Sequence, residues 1–333
     1  MLHFAPAGNW LFLPRRGNSC RIPAENQGLR KCGPACYAQH LLHSVFFIAM
    51  AAAVPAARLT AALQQPSAVR IACPPTTEKN SMPDQQDGRR FQIPRSRRLT
   101  WDLLWFHRRI PLCPHERQLQ LQAVAAARAG CSVRISWAAI FMRTTGLLSA
   151  EFPELRQIWY RWPWAHLYQH PHSVGILTVQ REMNGEAWLF WGRIVSPESL
   201  QLTEIQQRID QFRERPPGEV FSRMLQLAAL PFPLRRLVWW WNLNLATSGR
   251  ARRLGTFFLS TLAGQGAEIP LPPSVQTACL SWGPLRADQT CRFTMAYDHR
   301  VFDGMLASRM LARIQELLDQ QIAAELQQLS CSG

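Results

Sequence analysis

Near the carboxyl end of the chain, the spacing of hydrophobic residues changes from every second residue to the spacing of an α-helix. Phe293, Met295 and Tyr297 alternate with smaller side chains, which is the period of a strand with one buried face. Beyond this strand, apolar residues recur at helical spacing and predict an amphipathic helix over 305–319. His299 therefore lies on the turn between a strand and a helix that packs on the sheet.

The same periods predict further elements from residue 99 onward. Helices are predicted over 99–107, 123–129, 137–149, 201–213 and 221–230. Strands are predicted from near 116 to 121 and over 174–179, 187–194, 255–262 and 277–282. Asn184 and Gly185 are typical of a tight turn, so the strands beside them are predicted to form a hairpin. Because strands and helices do not alternate strictly, the pattern favours an α+β sandwich over a doubly wound sheet.

Composition suggests a compact domain preceded by a less regular segment. The chain has 333 residues and 47% apolar content, enough for one large domain or two ordinary ones. Residues 1–95 mix Pro, Arg, Gln and Ser with little periodicity, whereas regular spacing runs through the rest. We therefore predict a poorly ordered extension over 1–95 and a compact domain over 96–330.

Positive charge is concentrated in the extension. The formal net charge is +15, and residues 1–100 hold 13 Lys and Arg against 4 Asp and Glu. The basic residues are scattered instead of being gathered with aromatic residues on one face, as nucleic-acid binding requires. No nucleic-acid partner is therefore predicted.

Residues 41–57 form an apolar run that His43 and Pro55 interrupt. Its uninterrupted part is shorter than the ~20 residues of a membrane-spanning helix. The run also does not follow a short basic start, as a signal peptide would. Two interpretations of this run remain: a signal-like segment and a misassigned start codon. Met82 is an alternative first residue, so the sequence does not decide whether residues 1–81 are translated.

Cysteine and histidine spacing gives no metal site. Nine dispersed cysteines in a chain of this size are typical of a reducing compartment, and they predict a cytoplasmic protein. The cysteines between residues 20 and 36 lack the paired spacing of a zinc site. His166, His170 and His172 have no carboxylate or fourth-ligand signature beside them, so we predict that they lie in a loop. No metal is predicted.

His299 is a candidate for acid–base chemistry. It is followed by Asp303 and Gly304 in a His-x-x-x-Asp-Gly turn. A free imidazole titrates near neutrality, so it can accept a proton without being permanently charged. The structural alternative is a solvated histidine on an exposed turn.

Five stretches resemble a known family in the order in which they occur. They are 138–156, 255–260, 272–273, 278–283 and 297–304. Together they resemble the catalytic domain of the dihydrolipoyl acyltransferases of 2-oxo acid dehydrogenase complexes, and the histidine turn is similar to that of chloramphenicol acetyltransferase. The likeness covers about residues 97–325. It implies a chloramphenicol acetyltransferase-like two-layer α+β sandwich, with 96–330 as an acyltransferase catalytic domain.

The resemblance also implies an activity. It indicates a coenzyme A-dependent acyltransferase that moves an acyl group from a thioester to a thiol or hydroxyl acceptor. His299 matches the general base, and Ser260 matches the serine that donates to the oxyanion. Thr261 is a second candidate donor. The structural alternative for Ser260 is a strand serine whose hydroxyl binds backbone.

Asp303 matches the acidic position that an arginine holds in this family. Arg108 or Arg109 is the candidate partner, although an exposed arginine pair is an equal alternative. Asp303 also precedes a predicted helix, so N-capping explains it without chemistry. Gly304 is expected where a Cβ would not fit.

The predicted partners follow from the resemblance and from the family features that are not recognisable in this sequence. No lipoyl domain is recognisable upstream, so we predict no lipoyl group on this chain and a small-molecule or carrier-bound acyl acceptor. The family implies a homotrimer with sites between subunits. A catalytically silent oligomeric scaffold or binding module of the same fold is the alternative. Trp239–Trp241, with nearby arginines, leave a membrane contact open, and a partly buried helix is the simpler reading.

Overall fold

The computed structural model of the protein describes residues 90–331. Its principal helices are α1 (Arg98–His107), α2 (Gln122–Ala129), α3 (Trp137–Glu151), α4 (Leu202–Glu214), α5 (Pro217–Val220), α6 (Ser222–Ala229), α7 (Phe232–Asn244), α8 (Thr247–Leu254), α9 (Gly304–Leu317) and α10 (Ala323–Cys331). Its strands are β1 (Leu112–Gln120), β2 (Gln157–Tyr160), β3 (His166–Gln169), β4 (Val174–Met183), β5 (Glu186–Val195), β6 (Phe257–Leu259), β7 (Ala278–Trp282) and β8 (Thr290–Asp298).

Six strands form one mixed sheet in the order β1-β8-β7-β6-β4-β5. β6 runs parallel to both of its neighbours, and the other pairs are antiparallel. β2 and β3 form a separate two-stranded hairpin. The predicted turn between β4 and β5 is confirmed, since Asn184 and Gly185 have positive φ values of 55° and 73°, as a tight hairpin turn requires.

One face of the sheet carries the main core. Apolar side chains that alternate along the strands pack there against α3 and α9. The Phe141 ring of α3 lies 4.7 Å from that of Trp282 and 5.1 Å from that of Phe293, measured between centroids. On α9, Met310 and Ile314 are fully buried in the same cluster. The strand β8 and the helix α9, whose hydrophobic spacing is visible in the sequence, therefore pack their apolar side chains into the same core.

The other face of the sheet is more mixed. It carries a small cluster that includes Ile176, Phe258 and Cys279, with Trp191 packed against it. Helices α6, α7 and α8 follow β5 and precede β6 in the chain. Trp239 of α7 packs 5.9 Å from the Trp191 ring, so these helices cover part of this face.

The architecture confirms an α+β fold with a mixed sheet packed by helices. β6 is shorter than the predicted strand 255–262, because Gly255 has a φ of 81° and closes α8 by donating its N–H to Ala251 at 2.8 Å. β1 begins at Leu112, earlier than predicted. Pro114 is accommodated there because β1 is an edge strand.

Some predictions fall outside the described residues. These are the apolar run 41–57, the cysteines between 20 and 36, the alternative start at Met82 and most of the predicted extension 1–95. The boundary near residue 95 therefore stays a prediction. Within residues 90–331, no helix combines the length and apolar character needed to cross a membrane.

Candidate active site

His299 follows β8 directly and is held through its backbone. Its N–H donates to the carbonyl oxygen of Pro111 at 3.1 Å, and the N–H of Val301 donates to the Asp298 carbonyl oxygen at 2.9 Å. The imidazole is exposed, and its centroid lies 5.8 Å from the Tyr297 ring. Among the described residues its ring nitrogens have no hydrogen-bond partner. The turn is therefore fixed through its backbone, and the imidazole is accessible to solvent.

Asp298 clamps the histidine turn. Its carboxylate is buried and accepts hydrogen bonds from Arg300 Nε at 2.8 Å, Arg300 Nη2 at 2.6 Å and the Arg300 backbone N–H at 3.1 Å. The guanidinium also lies over the Trp159 ring of β2, 4.1 Å from its centroid. A bidentate arginine–carboxylate pair is both strong and directional. The turn that carries His299 is thus joined to the β2–β3 hairpin.

Gly304 lies against the side chains of His115 and Tyr297. A Cβ at this position would lie 2.9 Å from His115 Nε2 and 3.4 Å from the Tyr297 hydroxyl. Burial raises the pKa of the Tyr297 hydroxyl, which has no hydrogen-bond partner in the described part of the chain. The close approach expected at Gly304 is present, and it allows α9 to begin directly behind the histidine turn.

Of the alternatives left open for Asp303, the structure shows the helix cap: within residues 90–331 no arginine pairs with it, and Arg108 and Arg109 are both exposed. Asp303 Oδ1 instead accepts the Leu306 N–H at 2.9 Å and caps α9. Arg109 lies over the Trp105 ring, 5.7 Å from its centroid. Because Asp303 is exposed at a helix start, backbone donors satisfy it, and the arginine of the turn binds Asp298 instead.

Ser260 follows β6 on the less covered face of the sheet. Its N–H donates to the Leu280 carbonyl oxygen at 3.1 Å, and its Oγ accepts from Thr178 Oγ1 at 3.4 Å. No group in the described residues accepts the Ser260 hydroxyl proton. Thr261, by contrast, donates its hydroxyl to the Trp282 carbonyl oxygen at 2.8 Å and accepts the Ala263 N–H. Of the two candidates, only Ser260 has a hydroxyl free to donate.

Ser260 belongs to a row of hydroxyl side chains across the sheet. The register continues from Leu259–Leu280 to align Ser260 with Ser281, and Ser281 pairs with Thr294. Thr178 on β4 completes the row. These hydroxyls lie beside the small apolar cluster of Ile176, Phe258 and Cys279 on the same face, so the position is suited to a polar ligand atom.

Within one subunit, Ser260 and His299 are not brought together. Ser260 aligns with Thr294 through Ser281, whereas His299 lies five residues further along the chain from Thr294. At about 3.3 Å per strand residue, the separation along β8 alone is roughly 15 Å. The two residues are therefore well separated within one subunit.

A buried basic cluster lies below the β2–β3 hairpin. His170 is buried, and its burial and the charge of Arg250 lower its pKa to about 4. Arg250 lies over the Tyr160 ring and donates to the carbonyl oxygens of Leu243 and Val275.

The prediction that the histidines lie in a loop is wrong for His166, which is in β3. The hairpin escaped the sequence analysis because its strands have four residues each.

The tryptophan-rich segment is helix α7, which agrees with the interpretation of this segment as a partly buried helix. Trp239 is buried and stacks on Phe106, with ring centroids 5.9 Å apart. Trp241 is exposed. Arg235 is buried and forms an ion pair with Asp102 of α1. Among residues 90–331, no group of three or more His, Cys, Asp or Glu side chains lies together as metal ligands would.

Comparison with known families identifies the histidine-bearing part of the chain. Residues 271–326 match the family model of the catalytic domain of the 2-oxoacid dehydrogenases acyltransferases. The resemblance to this acyltransferase family is confirmed over these residues. The match includes His299, Asp303 and Gly304, and the acyltransferase class predicted from the sequence agrees with it. No curated protein sequence matches the chain.

Solved structures show the same fold. A probable dihydrolipoamide acetyltransferase from Listeria monocytogenes 4b F2365 has a TM-score of 0.53 at 14% identity, over 70% of this chain and 95% of the other. The dihydrolipoamide acetyltransferase of Azotobacter vinelandii has a TM-score of 0.51 at 15% identity, over 73% and 96%. A truncated catalytic core of the 2-oxoacid dehydrogenase complex from Thermoplasma acidophilum has a TM-score of 0.51 at 14% identity, over 70% and 99%. The predicted chloramphenicol acetyltransferase-like α+β fold is confirmed.

Proposed function

We propose that this protein is a coenzyme A-dependent acyltransferase that transfers an acyl group from a thioester to a thiol or hydroxyl acceptor. The observation that carries the proposal is His299, an exposed imidazole that has no hydrogen-bond partner among residues 90–331. It lies on a clamped turn inside the segment that matches the acyltransferase family. A solvated turn histidine would not need the buried Asp298 and its bidentate arginine. The side chain has the access and the fixed position of a general base.

In the proposed reaction, His299 removes the proton from the acceptor as its sulfur or oxygen attacks the thioester carbonyl carbon. The carbonyl oxygen becomes an oxyanion, and Ser260 donates its free hydroxyl proton in a hydrogen bond to it. His299 then returns its proton to the departing thiolate as the carbon–sulfur bond breaks. The acyl group ends on the acceptor, and the histidine is again neutral.

We further propose that the site forms between subunits of a homotrimer. The separation of Ser260 and His299 within one subunit supports this arrangement. In the Azotobacter vinelandii enzyme, the residues studied for their role in catalysis are a serine, a histidine and an asparagine four residues beyond that histidine. The same spacing from His299 leads to Asp303 in this chain. Asp303 would thus support the turn by capping α9, whereas His299 and Ser260 perform the chemistry.

The remaining parts of the proposal concern substrates and compartment. Acyl-coenzyme A is the proposed donor, and the acceptor is a small molecule or a carrier-bound group. The proposal includes no metal, no lipoyl group on this chain and no nucleic-acid partner. We place the protein in the cytoplasm. This is supported by the dispersed cysteines, four of which are free thiols in the described residues: Cys113, Cys131, Cys279 and Cys291.

The test is the release of free thiol from acetyl-coenzyme A and longer acyl-coenzyme A substrates by the full chain. Replacing His299 by Ala should lower turnover by about 10²- to 10⁴-fold, the usual contribution of a positioned general base. The matched control is His172→Ala, since His172 is also exposed but lies outside the turn. Full turnover by His299→Ala would defeat the mechanism. A folded, oligomeric wild type that releases no thiol from any donor would support the silent scaffold.

A further inference from the structure

A cavity of about 670 Å³ lies on the less covered face of the sheet, beneath helices α6, α7 and α8. Ile176, Trp191 and Phe258 line it from the strands. Leu227 and Trp239 line it from the helices. Phe258 precedes Ser260 by two residues on the same face of β6, so the cavity begins beside the hydroxyl row without including it.

Apart from its rim, the wall of this cavity is mostly aliphatic and aromatic. Protein interiors are close-packed and contain few voids larger than a water molecule. Apolar walls also hold water poorly. The volume falls within the range of small-molecule sites, roughly 300–1,000 Å³. These properties suit a flexible apolar chain as the ligand.

Three arginines lie at the rim, one each from β5, α6 and α8. Arg193, Arg223 and Arg253 line the cavity, and all three are exposed. In the part of the chain that the structure describes, none of them pairs with a carboxylate. Burial and the charge of Arg223 lower the pKa of Arg193, so these two cations lie close enough to repel each other. An anion between them would relieve that repulsion.

Two indole N–H groups in the wall also lack partners. Nε1 of Trp191 and Nε1 of Trp239 are buried without an acceptor among the described residues, and the Trp239 side chain as a whole is buried. A buried indole N–H normally finds a hydrogen-bond acceptor. A ligand that brings oxygen atoms into the cavity would supply one.

We propose that this cavity binds a fatty acyl ligand with an anionic head group. The chain lies between the sheet and the helices, and the head group lies at Arg193 and Arg223. A carboxylate and a phosphate ester share this chemistry. Binding does not require acyl transfer, because neither His299 nor Ser260 lines the cavity.

The test is calorimetric titration of the full chain with decanoate and decyl phosphate, each below its micellar concentration, and with 1-decanol below its solubility limit. Decanoate or decyl phosphate should bind saturably. The ligand that binds more tightly identifies the head group. The double variant Arg193→Glu/Arg223→Glu should weaken binding of that anion at least about tenfold, the equivalent of one hydrogen bond to a charged group. The double variant should leave the affinity for 1-decanol unchanged.

Three further variants separate this site from other effects. Arg213→Glu reverses an exposed charge outside the cavity and should bind as the wild type does. Leu227→Trp should narrow the cavity and weaken binding of all three ligands, with thermal unfolding as the check on folding. His299→Ala should bind normally, so loss of catalysis and loss of this site are distinguishable. Absence of saturable anion binding, or equal weakening of anion and alcohol by the charge reversals, would overturn the proposal.

Discussion

Ser260 and His299 follow strands that run in opposite directions in the same sheet, so they leave it towards opposite ends. β6 is parallel to β7, and β7 is antiparallel to β8. Ser260 follows β6 and His299 follows β8. If both residues act in catalysis, as we propose, this relationship favours a site that takes them from different subunits.

The first prediction concerns mixed oligomers. His299→Ala and Ser260→Ala subunits should each be poorly active alone. After random exchange in equal amounts they should regain about one quarter of wild-type turnover, because that share of interfaces combines an intact histidine with an intact serine. Thiol release measured before and after exchange checks this.

The control mixture contains His299→Ala and the double variant His299→Ala/Ser260→Ala, which cannot form an intact site. Exchange is followed by mass spectrometry of the intact oligomers. If subunits exchange and the first mixture remains inactive, the two residues do not act across an interface.

The second prediction concerns the clamp on the turn. Asp298→Asn keeps the size of the side chain but removes the charge that binds Arg300. Unfolding should become easier by about 1–3 kcal/mol, the range for hydrogen bonds to charged groups. The turnover number should fall while KM changes little, since the base is displaced but the substrate surface is retained.

Glu151→Gln is the matched control for the clamp. Glu151 pairs with Arg313 at 2.7 Å in a partly exposed position. Surface ion pairs contribute about 0–1 kcal/mol, so Glu151→Gln should lower the unfolding free energy by less than Asp298→Asn does. Denaturant unfolding and steady-state kinetics of both variants decide the comparison, and equal losses would contradict a special role for Asp298.

The third prediction concerns Gly304. Gly304→Ala places a methyl group 2.9 Å from His115 Nε2. The His115 ring or the start of α9 then has to shift, which should cost about 1–3 kcal/mol in unfolding free energy. Thiol release should fall as well, because the shift reaches the histidine turn.

His115→Ala added to Gly304→Ala should recover part of this loss, since it removes the opposing ring. Gly218→Ala is the control, because a Cβ there meets nothing within 4 Å. It should be neutral or slightly stabilising. A loss in Gly304→Ala that His115→Ala does not relieve would place the strain elsewhere.

The fourth prediction concerns acid stability. Burial and the charge of Arg250 lower the pKa of His170 to about 4 from a reference value of 6.5. Above pH 6.5 the residue is neutral in both states. As the pH falls from 6.5 to 4, the unfolded chain binds a proton that the folded chain does not. Up to about 3 kcal/mol of stability should be lost over this window.

His170→Gln should flatten this part of the stability profile, measured by denaturant unfolding at a series of pH values. His172→Gln, at an exposed position, should keep the wild-type slope. Identical slopes in both variants would show that other groups cause the acid sensitivity.

Much of the local structure could be predicted. β8, α9 and the β4–β5 hairpin could be predicted because their apolar residues recur with the period of a strand or of a helix. Both faces of β8 are buried, so its period comes from large apolar side chains that alternate with smaller or polar ones. The boundaries were less certain. β6 was predicted too long because Gly255 closes a helix there, and the β2–β3 hairpin was missed because it is short and half exposed.

The candidate site was predicted residue by residue but not as an arrangement. The family pattern identified His299, Ser260 and Asp303. It assigned an arginine partner to Asp303, whereas Arg300 binds Asp298 and Asp303 caps a helix. Both carboxylates lie within a few residues of His299, and only the path of the backbone decides which of them faces the guanidinium.

The sequence by itself determined the elements that carry the site, the residue types at the turn and the acyltransferase resemblance. Tertiary structure alone decided the clamp on Asp298, the separation of Ser260 from His299 and the cavity beneath α6, α7 and α8. The physical reason is the range of each interaction. Periods and caps depend on neighbours a few residues away. Strand order, ion-pair partners and cavities depend on contacts between residues far apart in the chain.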